Sequence, residues 1–135
     1  MLKKHKSVDT MENDTIHQAV LIDDDPINNL LCSSQIKKFC DYIQLTIFED
    51  PAEALDYFKT TSLLPEVILL DINMPVMNGW QLLDELNKLS ITLPPVFMVS
   101  SSSSKNEQEK ITGYSQIKSF IEKPLDKQKL ELIFG

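Results

Sequence analysis

Asp71 stands where a short apolar run turns polar. Glu66-Val67-Ile68-Leu69-Leu70 leads into it, and Ile72-Asn73-Met74-Pro75-Val76-Met77-Asn78-Gly79 follows. A run of branched residues ended by turn formers reads as a strand buried on both faces. A carboxylate at the carboxyl end of such a strand lies where open α/β sheets bind their ligands. Two further strand ends carry matching groups: Asp23-Asp24-Asp25 after Ala19-Val20-Leu21-Ile22, and Lys123-Pro124 after Ser119-Phe120-Ile121. Carboxylates converging with one lysine on a sheet edge make a divalent-cation site with a counter-charge for an anion. Those are the ingredients of phosphoryl chemistry, with Asp71 as the acceptor.

The elements needed to position these groups are legible in the same chain. Strands are predicted at 19–23, 43–48, 66–71, 96–99 and 117–122. Helices are predicted at 26–39, 52–59, 79–89, 105–111 and 127–134. Five strand-helix alternations imply parallel strands joined by right-handed crossovers. Helix starts are marked by Asp25-Pro26, Asp50-Pro51 and Asn78-Gly79, each a capping residue before a first helical position. Asp50 with Glu53, and Asn78 with Gln81, have capping-box spacing. Asp25 therefore reads as a helix cap, leaving Asp23 and Asp24 as the functional pair. In the first helix Ile27, Leu30, Leu31, Ser34 and Ile36 are expected to form the inward face, and Trp80 is expected to be half-buried. Residues 1–17, polar and without period, read as a mobile tail that includes His5 and His17.

The whole chain narrows the function classes. Its 135 residues suit one domain. A net charge of −7 argues against non-specific binding to nucleic acid or anionic membrane. No apolar stretch approaches the ~20 residues of a membrane span, and no signal segment is evident, so a cytoplasmic protein is expected. Cys32 and Cys40 lie eight positions apart on one predicted helix, about 12 Å at the helical rise, too far for a disulfide.

With these residues in view, the chain resembles the receiver domain of two-component response regulators. The resemblance is carried by Leu21-Ile22-Asp23-Asp24-Asp25-Pro26, Leu70-Asp71-Ile72-Asn73-Met74-Pro75 with Met77-Asn78-Gly79, Ser100, and Phe120-Ile121-Glu122-Lys123-Pro124. It covers about residues 18–135, with 1–17 as the tail. It implies a doubly wound, flavodoxin-like five-stranded parallel sheet of order 2-1-3-4-5 with helices on both faces. It also implies Asp71 as phosphoacceptor, and Mg²⁺ held by Asp23, Asp24, Asp71 and the backbone carbonyl of Asn73. Lys123 would pair with the phosphoryl group, its bond to Pro124 cis. Ser100 and Phe120 would be the switch pair, while Asn73 and Ser102 would tune the lifetime of the acyl phosphate. The implied phosphodonor is a sensor histidine kinase or histidine phosphotransfer protein. The output partner is left open, and a monomer or weak dimer is expected. The chain departs from the family at Gly113, seven residues before Phe120 and so somewhat far from the fifth strand.

Competing classes fit less well. A Mg²⁺-dependent phosphatase with an aspartate nucleophile would want a second acid two positions later, where Asn73 stands. A nucleotide-binding domain would need a glycine-rich loop, and the three glycines, Gly79, Gly113 and Gly135, do not make one. A phosphorylation-independent interaction module, or the receiver of a larger regulator or hybrid kinase, is the alternative. The expected protein is not itself an enzyme.

Overall fold

The computed structural model describes residues 16–101 and 105–135. The strands are β1 (Gln18–Ile22), β2 (Gln44–Phe48), β3 (Val67–Asp71), β4 (Val96–Ser100) and β5 (Ile117–Glu122). The helices are α1 (Pro26–Phe39), α2 (Pro51–Thr60), α3 (Gly79–Asn87), α4 (Lys105–Lys110) and α5 (Lys127–Phe134). All strand pairs are parallel, in the order β2-β1-β3-β4-β5. The alternating α/β class read from the chain and the strand order implied by the resemblance are both the ones observed.

The two-residue period of the strands sorts the core into two layers. Val20, Ile22, Ile68, Leu70 and Met98 face α2 and α3, where Ala54, Phe58, Leu82, Leu83 and Leu86 meet them. Ala19, Leu21, Val67, Leu69, Val99 and Ile121 face α1 and α5, packing on Cys32, Ile36, Leu130 and Ile133. Every residue of β3 and β4 is buried, as the continuous apolar runs require of central parallel strands. The strands that carry Asp71 and Ser100 are thus buried along their whole length.

Caps set where the helices begin. Asp25 accepts from the N–H groups of Ile27 and Asn28, Asp50 from Ala52, and Asp126 from Lys129. The reciprocal box closes at Asn78 and Gln81, whereas Asp50 caps α2 through its own side chain alone. α4 is shorter than expected and passes into a 3₁₀ turn at Ile111–Gly113.

α1 corrects the sequence reading. Ile27, Leu30 and Leu31 are 72%, 71% and 58% exposed, and Ser34 is exposed too. Of the expected face only Ile36 is buried, and Asn29 and Cys32 join it. The helix is rotated because its first turn must place asparagines, not leucines, against the end of β1. Trp80 is buried rather than half-buried.

Of the segment expected as a tail, Ile16 packs on the α1/α5 layer, and the backbone N–H of His17 donates to Glu66 Oε1 at 2.7 Å. Residues 1–15, His5 among them, lie outside the described residues. Cys32 and Cys40 are free thiols, and burial pushes the Cys32 thiol up from its ordinary value. No helix among the described residues is long and apolar enough to cross a membrane.

Candidate functional site

The strand order reverses between β1 and β3, whose carboxyl ends splay into a crevice. Asp23 follows β1 directly and Asp71 ends β3, so both carboxylates enter this crevice from adjacent strands. Asp24 joins them. Each of the three offers a carboxylate oxygen within 4.8 Å of the others'. Asp23 and Asp71 are 1% and 4% exposed, while Asp24 is half-buried. Asp25 points away and caps α1.

Lys123 arrives from the far side, on the loop after β5. Its peptide bond to Pro124 is cis, and its N–H, donated to the Ser100 carbonyl at 2.8 Å, ties the loop to the end of β4. The ammonium lies 2.7 Å from Asp23 Oδ2 and 3.1 Å from Asp71 Oδ1, bridging the two carboxylates. Burial works against the ammonium, but its hydrogen bond to Asp23 and the charges of Asp23 and Asp71 outweigh that. Its pKa is raised. For Asp71 the balance runs the other way. Burial first, and then the charge of Asp23, push its carboxyl up to about 6 despite Lys123. One lysine does not neutralise three carboxylates. The excess negative charge, carried by oxygen donors alone, suits a hard divalent cation that keeps several waters.

The neighbouring expected residues are gathered at the same edge. Asn73 is exposed and its Nδ2 donates to Ser100 Oγ at 3.2 Å, tying the ends of β3 and β4 together. Ser100 is buried at the end of β4. Phe120 pairs in register with Met98 and is half-buried against the α2/α3 layer. Ser102 lies outside the described residues.

Sequence reasoning missed three features. Asn28 and Asn29 both reach the end of β1: Asn28 Nδ2 donates to Asp23 Oδ2 at 2.7 Å, and Asn29 Nδ2 to the Asp23 carbonyl at 2.8 Å. Two adjacent amides in the first turn after an acidic cluster were the available signal. Gly79 is required by close approach: a Cβ there would stand 2.5 Å from the Asp71 carbonyl oxygen, and the φ of Gly79 is not positive. Trp80 Nε1 donates to Glu107 Oε1 at 3.1 Å and its ring meets that of Tyr114 at 5.4 Å, joining α3 to α4 and the turn beyond.

A parallel sheet that collects carboxylates and a lysine at its switch point defines a class of phosphoryl-handling α/β domains, and comparison with known proteins makes the class specific. Residues 19–134 match the sequence profile of the response regulator receiver domain, and the chain belongs to that family of two-component signalling modules. It is 28% identical over 89 residues to the sensor histidine kinase RcsC of Salmonella typhimurium, a stretch covering 66% of this chain and 9% of the kinase. It is 32% identical over 91 residues to a protein-glutamate methylesterase/protein-glutamine glutaminase of Yersinia pestis, covering 67% of this chain and 25% of that enzyme. The chain thus spans a small part of these relatives. A two-component response regulator from Cytophaga hutchinsonii superposes with a TM-score of 0.79 at 27% identity, over 87% of this chain and 93% of that one.

Proposed function

We propose that the protein accepts a phosphoryl group on Asp71 from the phosphohistidine of a sensor kinase or phosphotransfer protein. The observation that carries this reading is the convergence of Asp71, Asp23, Asp24 and the Lys123 ammonium at the switch point of the sheet. A carboxylate oxygen of Asp71 attacks phosphorus as the N–P bond breaks, and the departing imidazole nitrogen takes a proton from water. The product is an acyl phosphate. Asp23, Asp24, Asp71 and the Asn73 backbone carbonyl would hold Mg²⁺. When bound, the ion offsets the repulsion between an anionic nucleophile and an anionic phosphoryl group. Lys123 provides the second cation by turning from the carboxylates to a phosphoryl oxygen. The chain's own contribution is position and charge compensation in a water-poor crevice.

The new group then biases the fold through Ser100. Its hydroxyl, which accepts from the Asn73 amide in this structure, donates its own proton to a phosphoryl oxygen. Phe120 responds on the neighbouring strand, and the surface around β5 changes for an output partner. Such a bias needs only a few kcal/mol of differential interaction. Intact mass after incubation with a small phosphodonor tests the reading, with and without Mg²⁺, for the native chain and Asp71→Asn. The expected result is a Mg²⁺-dependent phosphoryl adduct in the native chain alone. An adduct that persists in Asp71→Asn, or no adduct from either a small donor or a phosphohistidine protein, would overturn it.

A further inference from the structure

We infer that Asn28 is a positioning residue for the acidic site. Its side-chain amide holds the Asp23 carboxylate in the orientation in which, with Asp24 and Asp71, it would bind a divalent cation. This rests on the phosphoacceptor reading above and adds to it a residue outside the aspartates and the lysine.

The argument starts from the oxygens of Asp23. Oδ2 accepts from Lys123 Nζ at 2.7 Å and from Asn28 Nδ2 at 2.7 Å, while Oδ1 accepts from the Asp25 N–H at 2.9 Å. An ionised carboxylate offers about four acceptor directions, so one on Oδ1 stays open. Of the three donors, only the lysine is charged and carried on a long stem with several rotatable bonds. During phosphoryl transfer it must turn toward the incoming anion, and Oδ2 then loses its strongest partner. The terminal torsion of an aspartate is soft, so a carboxylate held only by the lysine would follow it. The Asp25 N–H on one oxygen and the Asn28 amide on the other fix the carboxylate plane through the exchange.

Asn28 is built for this task. Its Nδ2 also donates to Cys32 Sγ at 3.7 Å, one turn along α1, so both amide hydrogens are engaged. The reversed amide would set an oxygen against Asp23 Oδ2, acceptor against acceptor, which fixes the orientation chemically. Asn29 anchors the backbone of the same residue through its bond to the Asp23 carbonyl. It does so with its own Oδ1 buried and lacking a hydrogen-bond partner. The first turn of α1 therefore spends polar side chains on the end of β1, while Ile27, Leu30 and Leu31 face outward. Groups that orient metal-binding carboxylates in this way commonly change metal affinity by ~10–100-fold when removed.

The test uses Asn28→Ala and Asn28→Leu; the second keeps the volume and removes the donor. Mg²⁺ binding to the unphosphorylated chain is measured by calorimetry, and the rate of adduct formation is followed against Mg²⁺ concentration. Both variants should raise half-saturating Mg²⁺ about tenfold or more. The rate at saturating Mg²⁺ should stay near native, while the melting temperature in chelator should fall by a few degrees as a charge-assisted hydrogen bond to the buried Asp23 carboxylate is lost. If Asn28→Ala folds poorly, Asn28→Leu carries the comparison. Unchanged half-saturation in Asn28→Leu would overturn the inference. So would a loss of rate at every Mg²⁺ concentration that tracks lost stability. If the native chain forms no adduct, the phosphoacceptor reading fails by itself, and the calorimetric comparison still decides the role of Asn28.

Discussion

Replacing Asp71 by asparagine should stabilise the metal-free protein at neutral pH and leave it unchanged in mild acid. The fold raises the Asp71 carboxyl from 3.8 to about 6, through burial and the neighbouring Asp23 charge. A raised carboxyl means the native state favours the protonated form. That contribution to stability is fully present below about pH 4 and is lost as pH rises through about 6. Roughly two pKa steps at 1.36 kcal/mol each give about 3 kcal/mol of destabilisation from the ionised group at pH 7.5. Asp71 is only 4% exposed, so solvent screening takes little from this figure. Asparagine copies the shape of the protonated acid and still offers Lys123 an oxygen. Unfolding followed by circular dichroism in chelator should show Asp71→Asn melting higher by something near 10 °C at pH 7.5, since a domain of this size gains about 3–4 °C per kcal/mol. The gap should close near pH 4, and it should narrow at pH 7.5 when Mg²⁺ is added to the native chain. A stabilisation independent of pH, or none at pH 7.5, would refute the claim that burial and Asp23 set the charge balance of the site.

Two further substitutions probe the same balance. Lys123→Met keeps the aliphatic stem but removes the cation between Asp23 and Asp71. In chelator at pH 7.5 it should cost about 3 kcal/mol, measured by urea unfolding, and lowering the pH toward 5 should recover much of that. Gly79→Ala sets a Cβ against the Asp71 carbonyl and the Ile72 Cα, both backbone and unable to yield cheaply. It should lose about 1–3 kcal/mol and weaken Mg²⁺ binding in calorimetry, because the strain falls on the segment that carries the acceptor.

The site was more legible in the chain than the way it is held. Asp71, Asp23, Asp24 and Lys123 could be picked out because each interrupts an apolar run at a strand end, where the period and the turn formers place it within a residue or so. The capping role of Asp25 was legible for the same local reason. The inward face of α1 was misread because Ile27, Leu30 and Leu31 look like a core stripe by spacing. Periodicity counts apolar residues and cannot see that the buried face holds an amide bonded to the Asp23 carbonyl. Trp80 was underestimated because its partners, Glu107 and Tyr114, lie far along the chain on other elements.

What the sequence determined by itself is the set of local decisions. These are which segments are strands, where each helix is capped, and which ionisable residues stand at strand ends, all governed by side-chain period, turn chemistry and backbone satisfaction within a few residues. What only the tertiary structure decided is every relation across the crevice. It set the Lys123 ammonium 2.7 Å from one carboxylate and 3.1 Å from another. It raised the Asp71 carboxyl, and it turned α1 so that asparagines rather than leucines meet the end of β1. Charge and desolvation act through space, so their outcome follows from which strand ends the sheet makes neighbours.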